Sequence, residues 1–509
     1  MVVAIIKNYM EATTSSSNHH GRLLDLVNNQ CRSMSHLKQI HAHTLRTTST
    51  SHPHTLFLHT RILHFASLHD PHYAFRFFQT YNIHNPNSFS WNTVIRAFSR
   101  STDQKQVAIL LYLEMLCHQG DVIITPDKHT FPFVLKACAY LFAMSEGRQL
   151  HAHIVKLGLA SDVYINNSLI HFYGSCGSLE DARDVFLEMP ERSVVSWNVM
   201  IDTLVQLNQF DEALMCFRKM QQSFEPDSFA IQSILRACAG LGALSLGMWA
   251  HAYVLKRCNP QVADDVLVNN CLLDMYCKCG SLETARLVFE RMVKRDVTSW
   301  NTMILGFAMH GDAVEALEYF TRMTDEGRLM PTSITFSGVL SACRHSGLVD
   351  EGRNYFTIMT ADYGIEPVLE HYGCLVDLLA RAGLIAEALD VVSKMTIKPD
   401  AVIWRSILDA CSKRSGGIEI SKEMAKKIME SEEGSDFSGV YVLLSRVYAV
   451  ARKWDEVGSV RKLMTDKGVT KEPGCSTIEI DGLAHEFFAG YSLAWILKAS
   501  LCHIPNAET

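Results

Sequence analysis

The sequence predicts an all-α solenoid of stacked helix-turn-helix repeats, on three observations. The stretch VVSWNVMIDTLVQLNQFDEALMCFRKMQQSFEPD, residues 194–227, recurs with Ser-Trp-Asn near its start at Ser90, Ser196 and Ser299 and a Met closing the second apolar run. Self-similarity with a period of roughly 35 residues marks a repeat array rather than one globular core. Within this unit Trp197, Met200, Ile201 and Leu204, and again Ala213, Leu214, Phe217 and Met220, fall at three- and four-residue spacing, the signature of two short amphipathic helices. The polar Leu207–Gln209 separates them, where sister repeats carry Gly177, Gly280 or Gly311 as a turn needs. Neither helix can bury its apolar face alone, so each pair must stack on its neighbours.

The elements follow in order. Residues 1–22 form a leader whose Ser/Thr cluster fits a transit peptide, while its two basic side chains, Lys7 and Arg22, fit a plain disordered leader equally well. Residues 23–87 read as degenerate repeats that cap the array, because terminal solenoid repeats are atypical. The array runs over 88–400 in three repeat types that cycle as 88–127, 128–162, 163–193, 194–227, 228–265, 266–296, 297–332, 333–368 and 369–400. The first unit holds about five extra residues near HQGDVII, placed in a rim loop. A C-terminal extension covers 401–490, and a divergent tail covers 491–509.

Composition narrows the function classes. Of 509 residues, 20% are charged and 48% hydrophobic, so the chain can bury ample apolar surface. No apolar run reaches the roughly 18 residues that a membrane span requires, and no membrane partner is expected. A formal net charge of −7 argues against holding nucleic acid by bulk positive charge, so any such binding must be local. The cysteines occupy repeat slots: Cys138, Cys238 and Cys343 share one, and Cys176 and Cys279 another. They read as small core residues of a reduced compartment. Cys277 and Cys279 lack a second ligand pair, and His151, His153 and His251 sit in a packing slot, so no metal or other cofactor is expected. No phosphate-cradling glycine loop or nucleophile elbow is present, and no residue is assigned a catalytic role.

One polar pattern stands apart from packing. The fifth residue of five units is asparagine, at Asn92, Asn167, Asn198, Asn270 and Asn301, and the last residues of those units are Asp127, Ser193, Asp227, Asp296 and Thr332. An exposed asparagine inside a helix is mildly unfavourable, so its repetition needs a reason. An amide both donates and accepts hydrogen bonds, as a base edge does. The alternative is that the terminal residues are helix caps and turn formers.

These residues, together with SLIHFYGSCGSLEDARDVFLEMPERS, FVLKACAYL, GRQLHAHIVKLG and EHYGCLVDLLARAG, resemble plant pentatricopeptide repeat proteins of the class with alternating long and short repeats. AVIWRSILDAC and the stretch from Tyr441 to Gly490 resemble the family's E-type C-terminal extension, and the chain is most similar to chloroplast editing factors of the chlororespiratory-reduction group. The resemblance implies a right-handed superhelical solenoid, monomeric, that reads single-stranded RNA one base per repeat through two or three side chains. In the family Asn with Asp favours uridine and Asn with Ser favours cytidine. Transferred here, Asn92 with Asp127, Asn198 with Asp227 and Asn270 with Asp296 read U, Asn167 with Ser193 reads C, and Asn301 with Thr332 reads a pyrimidine. Phe89, Tyr164, Val195 and Leu267, second in their units, sandwich the bases, and Thr298 departs from that apolar choice. Gly373, paired with Asp400, has no side chain at the deciding position. With RNA parallel to the protein, the expected footprint is U, any, C, U, any, U, pyrimidine, then two unspecified bases.

The family's cytidine deaminase would show H-x-E and a later P-C-x-x-C, and neither motif is present. His485-Glu486 lacks the spacer, and the text after Gly490 departs from the family, so the chain looks truncated. The expected function is therefore a non-enzymatic, sequence-specific adaptor for C-to-U editing of chloroplast transcripts, or alternatively mitochondrial ones. A deaminase-bearing or other editing factor would dock on residues 401–490. The competing readings are a protein-binding scaffold of the tetratricopeptide kind and an RNA stabilisation or processing factor.

Overall fold

The computed structural model describes residues 23–47, 53–81, 87–118, 124–257, 260–325, 329–413, 418–431, 438–466, 469, 475–480 and 483–488. The leader 1–22, the tail 491–509 and most of the rim insertion lie outside them. The chain divides into two compact units, Met1–Phe224 and Glu225–Thr509.

The first unit opens with a π-helical turn at Leu26–Gln30 and continues as α1 (Met34–Thr47), α2 (Pro53–His69), α3 (Pro71–Tyr81), α4 (Ser88–Arg100), α5 (Lys105–Cys117), α6 (Phe131–Leu141), α7 (Met144–Lys156), α8 (Val163–Ser175), α9 (Leu179–Glu188), α10 (Val194–Gln206) and α11 (Phe210–Met220). The first helices of successive repeats, α2, α4, α6, α8 and α10, pack in sequence, and each packs against its own second helix. In α10 and α11 the buried side chains include Met200, Ile201, Leu204, Ala213, Leu214, Phe217 and Met220, the apolar stripes read from the sequence. The expected turn sits between them: Asn208 adopts φ 57°, and its sister positions Gly177, Gly280 and Gly311 adopt 80°, 77° and 78°. Glycine or asparagine recurs there because other side chains rarely enter the left-handed region.

The second unit holds α12 (Ser228–Leu241), α13 (Leu244–Arg257), α14 (Pro260–Ala263), α15 (Val266–Lys278), α16 (Leu282–Arg291), α17 (Val297–Met309), α18 (Ala313–Asp325), α19 (Ser333–Ser346), α20 (Val349–Ala361), α21 (Leu369–Ala382), α22 (Ile385–Ser393), α23 (Ala401–Ser412), α24 (Ile418–Ser431), α25 (Ser438–Val450) and α26 (Trp454–Asp466). Its first helices, α12, α15, α17, α19, α21, α23 and α25, again pack in sequence. The core does not break at residue 400: Tyr372, Leu375 and Leu379 join Trp404, Ile407, Met424, Ile428 and Val447 in one buried cluster, so the extension begins as further helix pairs on the last repeat. It ends in a feature the all-helical reading did not contain, an antiparallel hairpin of β1 (Cys475–Ile480) and β2 (Leu483–Phe488), with Cys475 opposite Phe488 and Ile480 opposite Leu483.

Two devices lock neighbouring repeats. The Trp of each Ser-Trp-Asn meets a Phe of the preceding second helix edge-on, at centroid distances of 4.7 Å for Phe78 and Trp91, 5.0 Å for Phe186 and Trp197, and 4.8 Å for Phe289 and Trp300, a geometry favoured by the ring quadrupoles. Long repeats carry a glycine where the next first helix crosses closely. A Cβ on Gly147 would lie 1.9 Å from Phe172, one on Gly247 2.2 Å from Met275, and one on Gly352 2.4 Å from Leu378.

Candidate functional site

The fifth and last residues of a repeat meet because the next first helix starts beside the one that carries the asparagine. Asn92 Nδ2 donates to Asp127 Oδ1 at 3.0 Å, Asn270 Nδ2 to Asp296 Oδ1 at 3.1 Å, and Asn301 Nδ2 to Thr332 Oγ1 at 3.4 Å. Asp296 and Asp227 are also helix caps, Asp296 Oδ1 accepting from the backbone N–H of Ser299 and Asp227 from that of Ala230, and Asp127 Oδ1 accepts from the N–H of His129 and Thr130 in the turn that leads into α6. Capping and pairing use one carboxylate oxygen. Among the described residues the Oδ2 atoms of Asp127 and Asp296 make no hydrogen bond.

The asparagines are not exposed, as the sequence reading assumed. Asn92, Asn167, Asn270 and Asn301 are only 6–8% exposed. The crevice between stacked helices encloses them, and a buried amide must be hydrogen-bonded. Sequence reasoning missed the residue that meets this need, the hydroxyl at the third position of the following repeat. Thr130, Ser299 and Thr335 each donate to the Oδ1 of Asn92, Asn270 and Asn301 at 2.7 Å. The signal was present as the Ser or Thr three residues after the repeat ends Asp127, Ser193, Asp296 and Thr332, a capping-box spacing. Each of these amides is fixed in one orientation, Oδ1 on the hydroxyl and Nδ2 on the terminal residue, with one Nδ2 hydrogen left over.

Where the last residue is serine the arrangement changes. Ser193 Oγ and Ser196 Oγ lie 3.1 Å apart in a reciprocal cap, and Asn167 Oδ1 is buried without a protein partner. Asn198 is half-buried in the first unit, and Asp227 caps α12 in the second.

The second-position residues Phe89, Tyr164, Val195 and Leu267 are each more than half exposed, and Phe229, Ile334 and Val402 continue the pattern. Large apolar side chains at one repeat position beside a buried amide form a ladder of flat surfaces in each unit. Thr298 is also exposed.

Electrostatics are local. Burial leads the influences on Asp296 and works to raise its pKa, but hydrogen bonds from Ser299, Asn270 and the Thr298 N–H outweigh it and hold the carboxyl below its ordinary value. The repeat-slot histidines face tyrosine hydroxyls: His151 meets Tyr173 at 2.9 Å, His153 meets Tyr112 at 2.6 Å and His251 meets Tyr276 at 2.9 Å. Burial lowers the pKa of all three. Cys277 is buried, its thiol pushed up to about 12 by desolvation. No helix among the described residues is long and apolar enough to cross a membrane.

Residues 167–194, 270–297, 298–328 and 370–398 match the PPR repeat, 192–240 match the PPR repeat family, and 416–479 match the E motif. A pentatricopeptide repeat-containing protein of Arabidopsis thaliana, named as chloroplastic/mitochondrial, is 57% identical over 486 residues, covering 94% of this chain and 75% of its own length. A second from the same organism is 36% identical over 526 residues, covering 93% and 79%. Among solved structures, the pentatricopeptide repeat protein PPR10 in complex with an 18-nt psaJ RNA element aligns with a TM-score of 0.66 at 17% identity, over 91% of this chain and 71% of that one.

Proposed function

The chain belongs to the pentatricopeptide repeat family, and on that premise we propose that it is an organellar adaptor that reads single-stranded RNA and marks cytidines for C-to-U editing. The observation that carries the reading is the coupling of the buried Asn92, Asn270 and Asn301 to the last residues of their repeats, because a peptide groove has no need of a paired two-position site. In the Asn92–Asp127 and Asn270–Asp296 pairs the atoms left unsatisfied are one Nδ2 hydrogen and the carboxylate Oδ2, a donor beside an acceptor. Uracil offers the complement, a carbonyl acceptor beside the N3–H donor. In the Asn167–Ser193 pair the free atom is the amide Oδ1, which suits the N4 amino donor of cytosine, with the Ser193 hydroxyl able to turn toward cytosine N3. The exposed Phe89, Tyr164, Val195 and Leu267 supply faces on which bases stack, at about 1–3 kcal/mol per base for an aromatic ring.

The name of the Arabidopsis relative supports a chloroplast or mitochondrial location. The E motif supports the editing role, with residues 401–490 as the docking surface for a deaminase-bearing partner.

A titration of the chain against an RNA carrying U, any, C, U, any, U, pyrimidine tests the reading. Changing its three U positions to purines is expected to weaken binding at least tenfold, a difference of ~1.4 kcal/mol. Equal binding would leave a non-specific RNA binder, and no binding to either would favour a protein scaffold.

A gain of specificity is expected at the last short repeat. A Cβ at Gly373 meets nothing within 4 Å, and Asp400 already caps α23 through Ile403 N–H at 3.0 Å. Gly373→Asn should therefore add a preference for U at the ninth nucleotide. Because Ile403 stands where other repeats place a hydroxyl, the gain should stay near threefold, below a fully held pair worth ~1.4 kcal/mol. Competition between RNAs differing at that nucleotide measures it.

A further inference from the structure

The degenerate segment before the array is more than a cap. Helices α2 and α4 of the first unit enclose an open cleft of about 690 Å3, within the roughly 300–1,000 Å3 of small-ligand sites. One side is the predicted reading position, Phe89 with Asn92 and Asp127. The other is built from α2 alone: Phe57, Thr60, Arg61 and His64. Phe57 and Phe89 are both about half exposed. The cleft thus has an aromatic side chain on each of two successive repeats and a hydroxyl from Thr60 on the α2 side.

Two arginines charge the cleft. Elsewhere arginines pair with carboxylates, as Arg148 does with Asp181, Arg322 with Glu290 and Arg353 with Glu387. Arg61 and Arg96, which line the cleft, form no ion pair among the described residues. Arg61 lies over the Phe57 ring at 5.2 Å and Arg96 over Phe133 at 5.9 Å. Both press on His64, whose pKa is lowered first by burial and then by the two guanidiniums, so this imidazole is poised to stay neutral and adds no charge of its own. Two unneutralised guanidiniums beside exposed rings, in a protein of net charge −7, make a local anion site next to a stacking site. Asp127 also lines the cleft, held by Asn92, where a base edge and not a phosphate is expected.

We propose that this cleft holds one further nucleotide of the RNA, on the 5′ side of the first base read, with Arg61 and Arg96 gripping its phosphodiester and the base resting between Phe57 and Phe89. The inference rests on the RNA reading above and extends the footprint into the segment taken as a cap. Guanidiniums suit this task because their planar donor forks match phosphate oxygens in pairs. Phosphate contacts fix register without carrying sequence, so the site is an anchor that sets where the reading frame begins.

The test uses the full chain and three RNAs of the expected pattern: one starting at the first U with a 5′-hydroxyl, one extended by a single 5′ nucleotide, and one extended by a single 3′ nucleotide. The 5′ extension is expected to tighten binding about fivefold and to steepen the salt dependence by ~0.7 in log–log slope per phosphate held, while the 3′ extension does neither. In the Arg61→Gln/Arg96→Gln double variant the 5′ gain should vanish while the unextended RNA binds as before, which also shows that the variant is folded. Equal gains at both ends, or a 5′ gain that survives in the double variant, overturn the anchor and leave the RNA reading standing. Failure of the unmodified chain to bind any of the three RNAs overturns both.

Discussion

Ser193→Asp is expected to turn the third nucleotide of the footprint from cytidine to uridine. In the native repeat Ser193 and Ser196 bond to each other, and Asn167 Oδ1 is left without a partner in its buried crevice. The repeat that ends at Asp296 has the same serine three residues on, yet there the carboxylate takes the asparagine Nδ2 and the Ser299 hydroxyl turns onto Oδ1. A carboxylate at position 193 should draw Asn167 and Ser196 into that second arrangement. The free acceptor would then be the second oxygen of the introduced carboxylate in place of Asn167 Oδ1, and the amide would present a donor. Stability should change by less than ~0.5 kcal/mol, because Asp and Ser cap helices about equally well. Binding to RNAs with C or U at the third position should move from about tenfold in favour of C to about tenfold in favour of U, a swing of ~2.7 kcal/mol. Anisotropy titrations of the two RNAs measure it, and an unchanged preference for C would break the link between the last residue and base choice.

How far the chain could be read follows from which residues repeat. The helix pairs were legible because their packing residues recur in register, Trp91, Trp197 and Trp300 on Phe78, Phe186 and Phe289. The turns were legible because glycine and asparagine suit a φ near 60–80° better than other residues. Burial of the asparagines was not, since nothing in a single helix says how closely its neighbour will stack. The third-position hydroxyls went unnoticed because Ser and Thr at a helix start already have a sufficient explanation as caps. The hairpin carried its own signal, Asp481-Gly482 between two alternating segments. It occurs once in the chain, and a reading organised around repeats gives least weight to what does not recur.

Ser299→Ala is expected to damage both stability and discrimination, and through one atom. The Ser299 hydroxyl donates to Asn270 Oδ1 at 2.7 Å and accepts from the Asp296 N–H at 3.2 Å. Its removal leaves a carbonyl oxygen unsatisfied on a side chain only 7% exposed, a cost of about 1–3 kcal/mol, measurable as a lower unfolding midpoint in urea. The amide also loses the contact that fixes its orientation. Once free to turn, Asn270 can offer either oxygen or nitrogen to a base, and the preference for U over C at the sixth nucleotide should fall from about tenfold toward none. Asp296 supplies a third readout. Its folded pKa lies below its unfolded value, so its stabilising contribution is full above the ordinary carboxylate pKa of 3.8 and is lost as pH falls through the lower folded value. With the hydroxyl's contact to the carboxylate gone, the folded pKa should rise toward 3.8 and the contribution should shrink. Ser299→Thr keeps the hydroxyl, as Thr335 does beside Asn301, and should restore all three properties. A variant that lost stability but kept full discrimination would make Ser299 a cap alone, and the orientation of the amide would then have to be set by Asp296.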